Sequence, residues 1–201
     1  MKPESDRTSP SRALPMVLDP DWTILKQHLP KEAPTEGHRL SAVLIPILDV
    51  PGYPILFTQR SHDLKHHAGQ LSFPGGVVEK GETPWEAACR EADEEVGLPP
   101  EKVHFLGQLD DVFSPRGFHI KCLAGLVQPF QAHLNLQEVS RIITVPLSEI
   151  FEPCYHKELA WKNRTIHFFH FPSGLVWGVT GKITAILKNT LLKTSNRSGW
   201  A

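Results

Sequence analysis

Three glutamates, Glu91, Glu94 and Glu95, are the residues of this chain best placed to do chemistry. They lie in the segment GVVEKGETPWEAACREADEEVGL, residues 76–98. On a helix, positions i, i+3 and i+4 share one face, and like charges there cost about 0.2–0.5 kcal/mol per pair. Arg90 is the one cation on the same turn, and its position is expected to point it to an adjacent face. Such a cluster is either a solvated face or a holder of divalent cations that reverse the repulsion. Charge runs on helices are ordinarily solvated. Here, however, the run follows Gly75-Gly76, and a glycine turn lets backbone groups approach a ligand closely. An all-oxygen carboxylate set suits Mg²⁺ or Mn²⁺, which engage substrate phosphates. Such ions neutralise a diphosphate, polarise phosphorus and lower the pKa of an attacking water. The expected reaction is metal-dependent hydrolysis of a diphosphate linkage.

Other constellations carry less. Residues 76–81 have the glycine spacing of a phosphate-binding loop, but Glu82 stands where that loop needs a lysine. His62, His66 and His67 lie close together without a known ligand spacing, and a polar loop is the simpler reading. Cys89, Cys122 and Cys154 are odd in number and far apart, with no C-x-x-C pair. Free thiols in a reducing compartment follow, with cytoplasm as the default.

The elements that must position the glutamates can be read from local signals. Thr83 is a good N-cap, Pro84 suits the first helical position, and Glu86 completes a capping box. Gly97 supplies a left-handed stop before Pro99-Pro100. A helix over 84–96 follows, with Trp85, Ala88, Ala92 and Val96 on its buried face. Arg39 to Leu48 and Pro54 to Thr58 flank the turn Val50-Pro51-Gly52 and read as two strands. Further strands are expected at 103–109, 120–127, near 142–145 and at 165–171. Helices are expected at 18–29 and 177–192. The order is mixed and lacks regular strand–helix alternation, so the expected class is α+β, with helices sandwiching a mixed sheet.

With 201 residues, the chain suits one well-buried domain over 16–193, a disordered lead-in over 1–15 and a mobile tail over 194–201. A formal net charge of -1 gives no electrostatic case for nucleic acid or a membrane surface, and no apolar run approaches a membrane span. A small-molecule substrate is the expected partner.

The spacing resembles the Nudix box: Gly, five residues, Glu, seven residues, Arg-Glu, an aliphatic, any residue, Glu-Glu, any residue, Gly, aliphatic. Here those positions are Gly76, Glu82, Arg90, Glu91, Ala92, Glu94, Glu95, Gly97 and Leu98. Only Ala92 is smaller than usual. The resemblance implies a Nudix fold, an α/β/α sandwich with a central mixed sheet, and hydrolysis of a nucleoside diphosphate linked to a further group. It implies Glu91 and Glu95 as principal metal ligands and Glu94 as an additional one. Arg90 and Glu82 would pair to set the loop–helix geometry. A homodimer is compatible with this fold.

A second signature is similar to the coenzyme A pyrophosphatase branch. It comprises Leu56 to Ser61, then His67 and Gly69-Gln70, then Phe73 to Gly76, with Lys65 in place of the usual Arg. Lys keeps the charge and loses the planar fork. Residues 114–120, 135–139, 145–147 and 176–180 extend the likeness, with Gly181 where Ala is commoner. This implies cleavage of coenzyme A to 3′,5′-ADP and 4′-phosphopantetheine. Arg60 and Lys65 could then hold the 3′-phosphate or the diphosphate. Glu138 could be a further ligand, a general base or an ordinary surface acid. Ser114 and Phe118 could line the pantetheine or adenine pocket, or serve turn and core; Arg116 could contact phosphate. Two other readings remain: a Nudix hydrolase of ADP-ribose, a dinucleoside polyphosphate or an oxidised nucleotide, and a non-catalytic binding module.

Overall fold

The run RLSAVLIPIL forms β1 (Arg39–Leu48), which is buried along most of its length. Strands covered on both faces read as near-continuous apolar runs, and β1 is the centre of the fold for that reason. In this computed structural model, which describes residues 20–31, 37–61, 68–162 and 164–195, β1 pairs in parallel with β7 (Phe118–Val127). Their register runs from Arg39↔Phe118 to Leu48↔Val127. On its other edge β1 is shared by two antiparallel partners. Near its start lies β4 (Gly75–Val77), with Ser41 opposite Val77; near its end lies β2 (Ile55–Arg60), with Ile47 opposite Ile55.

The splay between β1 and β2 is filled by β4 and by β3 (Leu71–Ser72), which pairs with Thr58 and Gln59 of β2. The outer edge of β2 carries β8 (Val139–Val145). The outer edge of β7 carries β5 (Val103–Gln108) and β6 (Val112–Phe113). One parallel pair in an otherwise antiparallel sheet makes the mixed sheet that was expected. A separate antiparallel meander follows, β9 (His156–Trp161), β10 (Arg164–Phe171) and β11 (Gly174–Trp177).

Helix α2 (Pro84–Val96) covers one face of the central sheet. Its Ala87, Ala88, Ala92 and Val96, with Leu98, pack against Ala42, Leu44, Leu123 and Val127. Three alanines on the contact stripe let the helix axis approach the sheet closely, and Ala92 is fully buried there. The other face is covered by α3 (Gly178–Ser195) together with the meander. Ile183, Leu187, Phe169, Phe171 and Val176 join Ile45, Ile47, Phe57 and Ile143 in that core. Each such side chain contributes about 1.5–3 kcal/mol by leaving water. The result is an α+β fold of three layers, in the order α2, mixed sheet, then α3 with the meander.

Some boundaries differ from the sequence-based ones. The first helix, α1 (Thr23–Gln27), is five residues long, started by the Asp21 carboxylate accepting from Thr23 N and Oγ1. It stops at His28, whose backbone is extended. Trp177 ends β11 rather than beginning a helix, because Phe168 holds it in the cross-strand ladder; α3 then runs from Gly178 to Ser195, past the expected helix end at 192. The lead-in over 1–15, Lys65, and His62, His66 and His67 lie outside the described residues. No helix among the described residues is long and apolar enough to cross a membrane.

Candidate active site

Local signals fix α2 at both ends. Thr83 Oγ1 accepts from Glu86 N, and the Glu86 carboxylate accepts from Thr83 N at 2.8 Å, a complete capping box. Gly97 closes the helix at φ 67°, donating to Asp93 O, while Leu98 N reaches Ala92 O. A Cβ on Gly97 would sit 3.1 Å from His133, so both the left-handed backbone and the neighbour demand glycine. The residues after the helix then return to its open carbonyls: His133 N donates to Val96 O and Asn135 N to Glu95 O, each at 3.0 Å.

Within this frame the three glutamates lie at different depths. Glu95 is only 5% exposed, whereas the Glu94 side chain is 57% exposed. Glu91 is intermediate. The Glu91 carboxylate lies against the backbone of Gly76, where any Cβ would collide with it. A side chain at position 76 would therefore fit only by displacing the Glu91 carboxylate, the far end of a flexible side chain. Next to it, Gly75 N donates to Glu95 Oε1 at 3.4 Å. The Gly-Gly pair of β4 is what brings backbone and acids together.

Arg90 does not point away to an adjacent face. It holds Glu82 through Nε at 2.8 Å and Nη2 at 3.3 Å, and Nη2 also donates to Val77 O. Its Nη1 donates to Glu91 Oε1 at 3.0 Å and to Glu94 Oε2 at 3.1 Å. The long side chain reaches around the turn, and a five-donor fork can serve several acceptors at once. The expected Arg90–Glu82 clamp is present, and it also orients Glu91.

Electrostatics separate clamp from cluster. Hydrogen bonds from Arg90 and then from Glu79 N hold Glu82 below the usual carboxylate range. Arg90 is pushed well above its ordinary value, first by its bond to Glu82. Burial raises Glu91, against the pull of Arg90, with Glu94 and Glu138 adding to the rise. Burial likewise pushes Glu95 up to about 8, opposed by Gly75 N–H and Arg60 and reinforced by Glu91 and Glu138. A buried acid with one long backbone bond and acids for neighbours is a poor arrangement by itself and a good one around a cation. By donor type, the hard carboxylate oxygens of Glu91 and Glu95, with Glu138 in electrostatic reach and Glu94 at the rim, suit Mg²⁺ or Mn²⁺.

Two other candidates are drawn to the same place. Glu138 is exposed and within electrostatic reach of Glu91 and Glu95. It is carried by the turn that begins at Asn135, and its carbonyl accepts from Ser61 N at 2.7 Å. Arg60, paired opposite Val139, acts on Glu95 from the end of β2, and its Nε is buried with no hydrogen-bond partner.

The turn from Ser114 to Phe118 sits at the same end of the sheet. Ser41 of β1 has Val77 on one side and Ile120 on the other, so this turn and β4 flank the same stretch of β1. No described contact ties it to the glutamates. The Ser114 hydroxyl accepts from Arg116 N at 3.3 Å and Phe118 N at 3.1 Å, which makes it the organiser of the turn. The Arg39 guanidinium lies over the Phe118 ring. Sequence reasoning missed Gly75 N as a donor to Glu95, and a doubled glycine before an acidic helix was the signal available.

The NUDIX domain profile matches residues 37–169. A protein of Photorhabdus laumondii named as an uncharacterized Nudix hydrolase NudL is 38% identical over 160 residues. The match covers 77% of this chain and 86% of that protein. A Pectobacterium atrosepticum protein of the same name is 36% identical over 174 residues, covering 84% and 89%. Among solved structures, a MutT/nudix family protein from Enterococcus faecalis superposes with a TM-score of 0.52 at 17% identity. That match covers 84% of this chain and 66% of the other. A C. elegans Ap4A hydrolase complex gives 0.50 at 19% identity, covering 78% and 96%; at such identities both speak for the fold alone. With the box residues assembled around α2 and the profile spanning most of the folded core, this chain belongs to the Nudix family of hydrolases.

Proposed function

We propose that this Nudix hydrolase cleaves the diphosphate linkage of coenzyme A or its derivatives, giving 3′,5′-ADP and 4′-phosphopantetheine. The observation that carries the chemistry is the buried Glu95 carboxylate, with Glu91 and Glu138 beside it and one long bond from Gly75 N. Glu91 and Glu95 hold the divalent cation, and Glu94 adds a ligand at the solvent edge. When bound, the cation neutralises the diphosphate and lowers the pKa of the attacking water. Glu138, which acts electrostatically on Glu91 and Glu95, would take the proton from that water or complete the metal shell. The Arg90–Glu82 clamp keeps Glu91 against Gly76.

Coenzyme A is favoured over other nucleoside diphosphates by the segments that resemble its branch. Residues 56–61 form β2 and its end, residues 71–77 form β3 and β4, and both adjoin the acids. The half-buried Arg60 side chain brings a positive charge within electrostatic reach of Glu95, where a phosphate would lie. Lys65 follows Arg60 by five residues and supplies a second charge for the 3′-phosphate. Arg116, Ser114 and Phe118 form the wall beyond β1, where the adenine or pantetheine portion lies.

The test is incubation of purified protein with coenzyme A, ADP-ribose and a nucleoside triphosphate, each with Mg²⁺, Mn²⁺ or EDTA, and chromatography of the products. Release of 3′,5′-ADP, lost with EDTA, is the expected result. Metal-dependent cleavage of ADP-ribose or the triphosphate alone would keep the acid cluster and reject coenzyme A.

A further inference from the structure

The meander carries a second group of potential ligands, on the α3 side of the central sheet. β9 and β10 pair with His167 opposite Glu158 and Phe169 opposite His156. Residues 156 and 158 share a strand face, and cross-strand partners are neighbours, so the three side chains meet. His156 Nε2 lies 3.2 Å from His167 Nδ1 and 3.7 Å from Glu158 Oε1, and His167 Nδ1 lies 3.3 Å from that same oxygen.

We propose that His156, Glu158 and His167 form a second metal site, for a divalent transition ion of the zinc class. The triangle has the right size: a point equidistant from its three corners lies about 2.0 Å from each, the length of a zinc–imidazole or zinc–carboxylate bond. Two imidazole nitrogens and one carboxylate oxygen select zinc-like ions over Mg²⁺, so the site differs chemically from the acid cluster of α2.

The rings are also held for the purpose. His156 lies flat on Phe169, with centroids 4.2 Å apart and an interplanar angle of 2°. The backbone of β10 at His167 is fixed by α3, because Gly181 sits on the His167 carbonyl with no room for a Cβ. The histidine side chains are 13% and 16% exposed and that of Glu158 is 56% exposed, so the group opens to water on one side and leaves a fourth position for solvent.

One group opposes the ion. Lys188 Nζ lies 3.3 Å from His156 Nδ1. A histidine bound through Nε2 carries its proton on Nδ1, which an ammonium cannot accept. Lys188 must therefore swing out for the ion to bind.

The experiment is a Co²⁺ titration of the full chain in excess Mg²⁺, which occupies the α2 acids, read by visible absorption. About one equivalent of Co²⁺ giving a four-coordinate spectrum, displaced by Zn²⁺, is expected. His167→Asn should weaken it by at least about tenfold, with thermal melting to show that the variant folds. Lys188→Met should tighten it by removing the opposing charge. Unchanged affinity and spectrum in His167→Asn would overturn the site, as would unchanged or weaker binding in Lys188→Met, which decides the matter even if the histidine variant does not fold.

Discussion

The backbone N–H of Asn135 donates to the carbonyl oxygen of Glu95 at 3.0 Å. The turn that carries Glu138 is therefore hung from the last turn of the helix that carries Glu91 and Glu95. Asn135 also shapes that turn: its Oδ1 accepts from Gln137 N at 3.2 Å, and its carbonyl accepts from Glu138 N at 2.9 Å. Asn135→Ala keeps the backbone bonds and loses the side-chain one. The expected cost is about 1 kcal/mol of stability, with kcat down by about tenfold as Glu138 drifts. Steady-state kinetics with a melting curve measures both, and an unchanged kcat would remove Glu138 from the reaction.

The pH dependence of stability follows from Glu95. Burial raises its carboxyl from 4.5 to about 8 in the folded chain. Between those values the folded protein holds a proton that the unfolded chain has released, so stability falls as pH rises through the window. In EDTA the protein should be less stable at pH 8.5 than at pH 5.5, by roughly 1–4 kcal/mol. Glu91 is shifted in the same direction and adds to the slope. Urea unfolding across this range should show the slope in the parent protein and a flatter line in Glu95→Gln, with Mg²⁺ restoring most at high pH.

Arg90 offers a sharper test of the clamp. Its fork serves Glu82, Val77 O, Glu91 and Glu94 at once. Lysine keeps the charge and cannot span these acceptors. Arg90→Lys should cost roughly 1–3 kcal/mol and weaken Mg²⁺ dependence by releasing Glu91. Denaturation and metal titration of activity would reveal it; parent-like values in both would mean that the fork is dispensable.

Why α2 was legible and the rest of the site less so comes down to locality. Thr83, Pro84, Glu86 and Gly97 act within one turn of the residues they control, so the helix ends lie where the sequence places them. β1 was legible because a strand covered on both faces is apolar throughout. β3 and β4 are two and three residues long, and they exist only because β1 and β2 splay apart to admit them. β9 is largely exposed and gave no alternation to read. The reach of Arg90 depended on where Val77 and Glu82 would fall, which helical spacing alone does not tell. The His156, Glu158 and His167 group required the β9–β10 register.

The Gly-Gly pair expected as a turn is the start of β4, and its Gly76 lies against the Glu91 carboxylate. A methyl group there would collide with the Glu91 carboxylate. Gly76→Ala should therefore displace Glu91 and raise the Mg²⁺ concentration needed for half-maximal activity by about tenfold or more, with little change in stability because only the end of a flexible side chain must move. Activity against Mg²⁺ concentration is the measurement, and a parent-like curve would mean that Glu91 is free to move without consequence.

In the proposed reaction the buried Glu95 and half-buried Glu91 of α2 drive metal-dependent cleavage of coenzyme A. The most direct measurement is the rate of 3′,5′-ADP release from coenzyme A in Mg²⁺, for the parent protein and Glu95→Gln, each with and without EDTA. The parent protein should release 3′,5′-ADP, EDTA should abolish release, and Glu95→Gln should lower the rate by about a thousandfold. Parent-like release by Glu95→Gln, or release that EDTA leaves untouched, would contradict it.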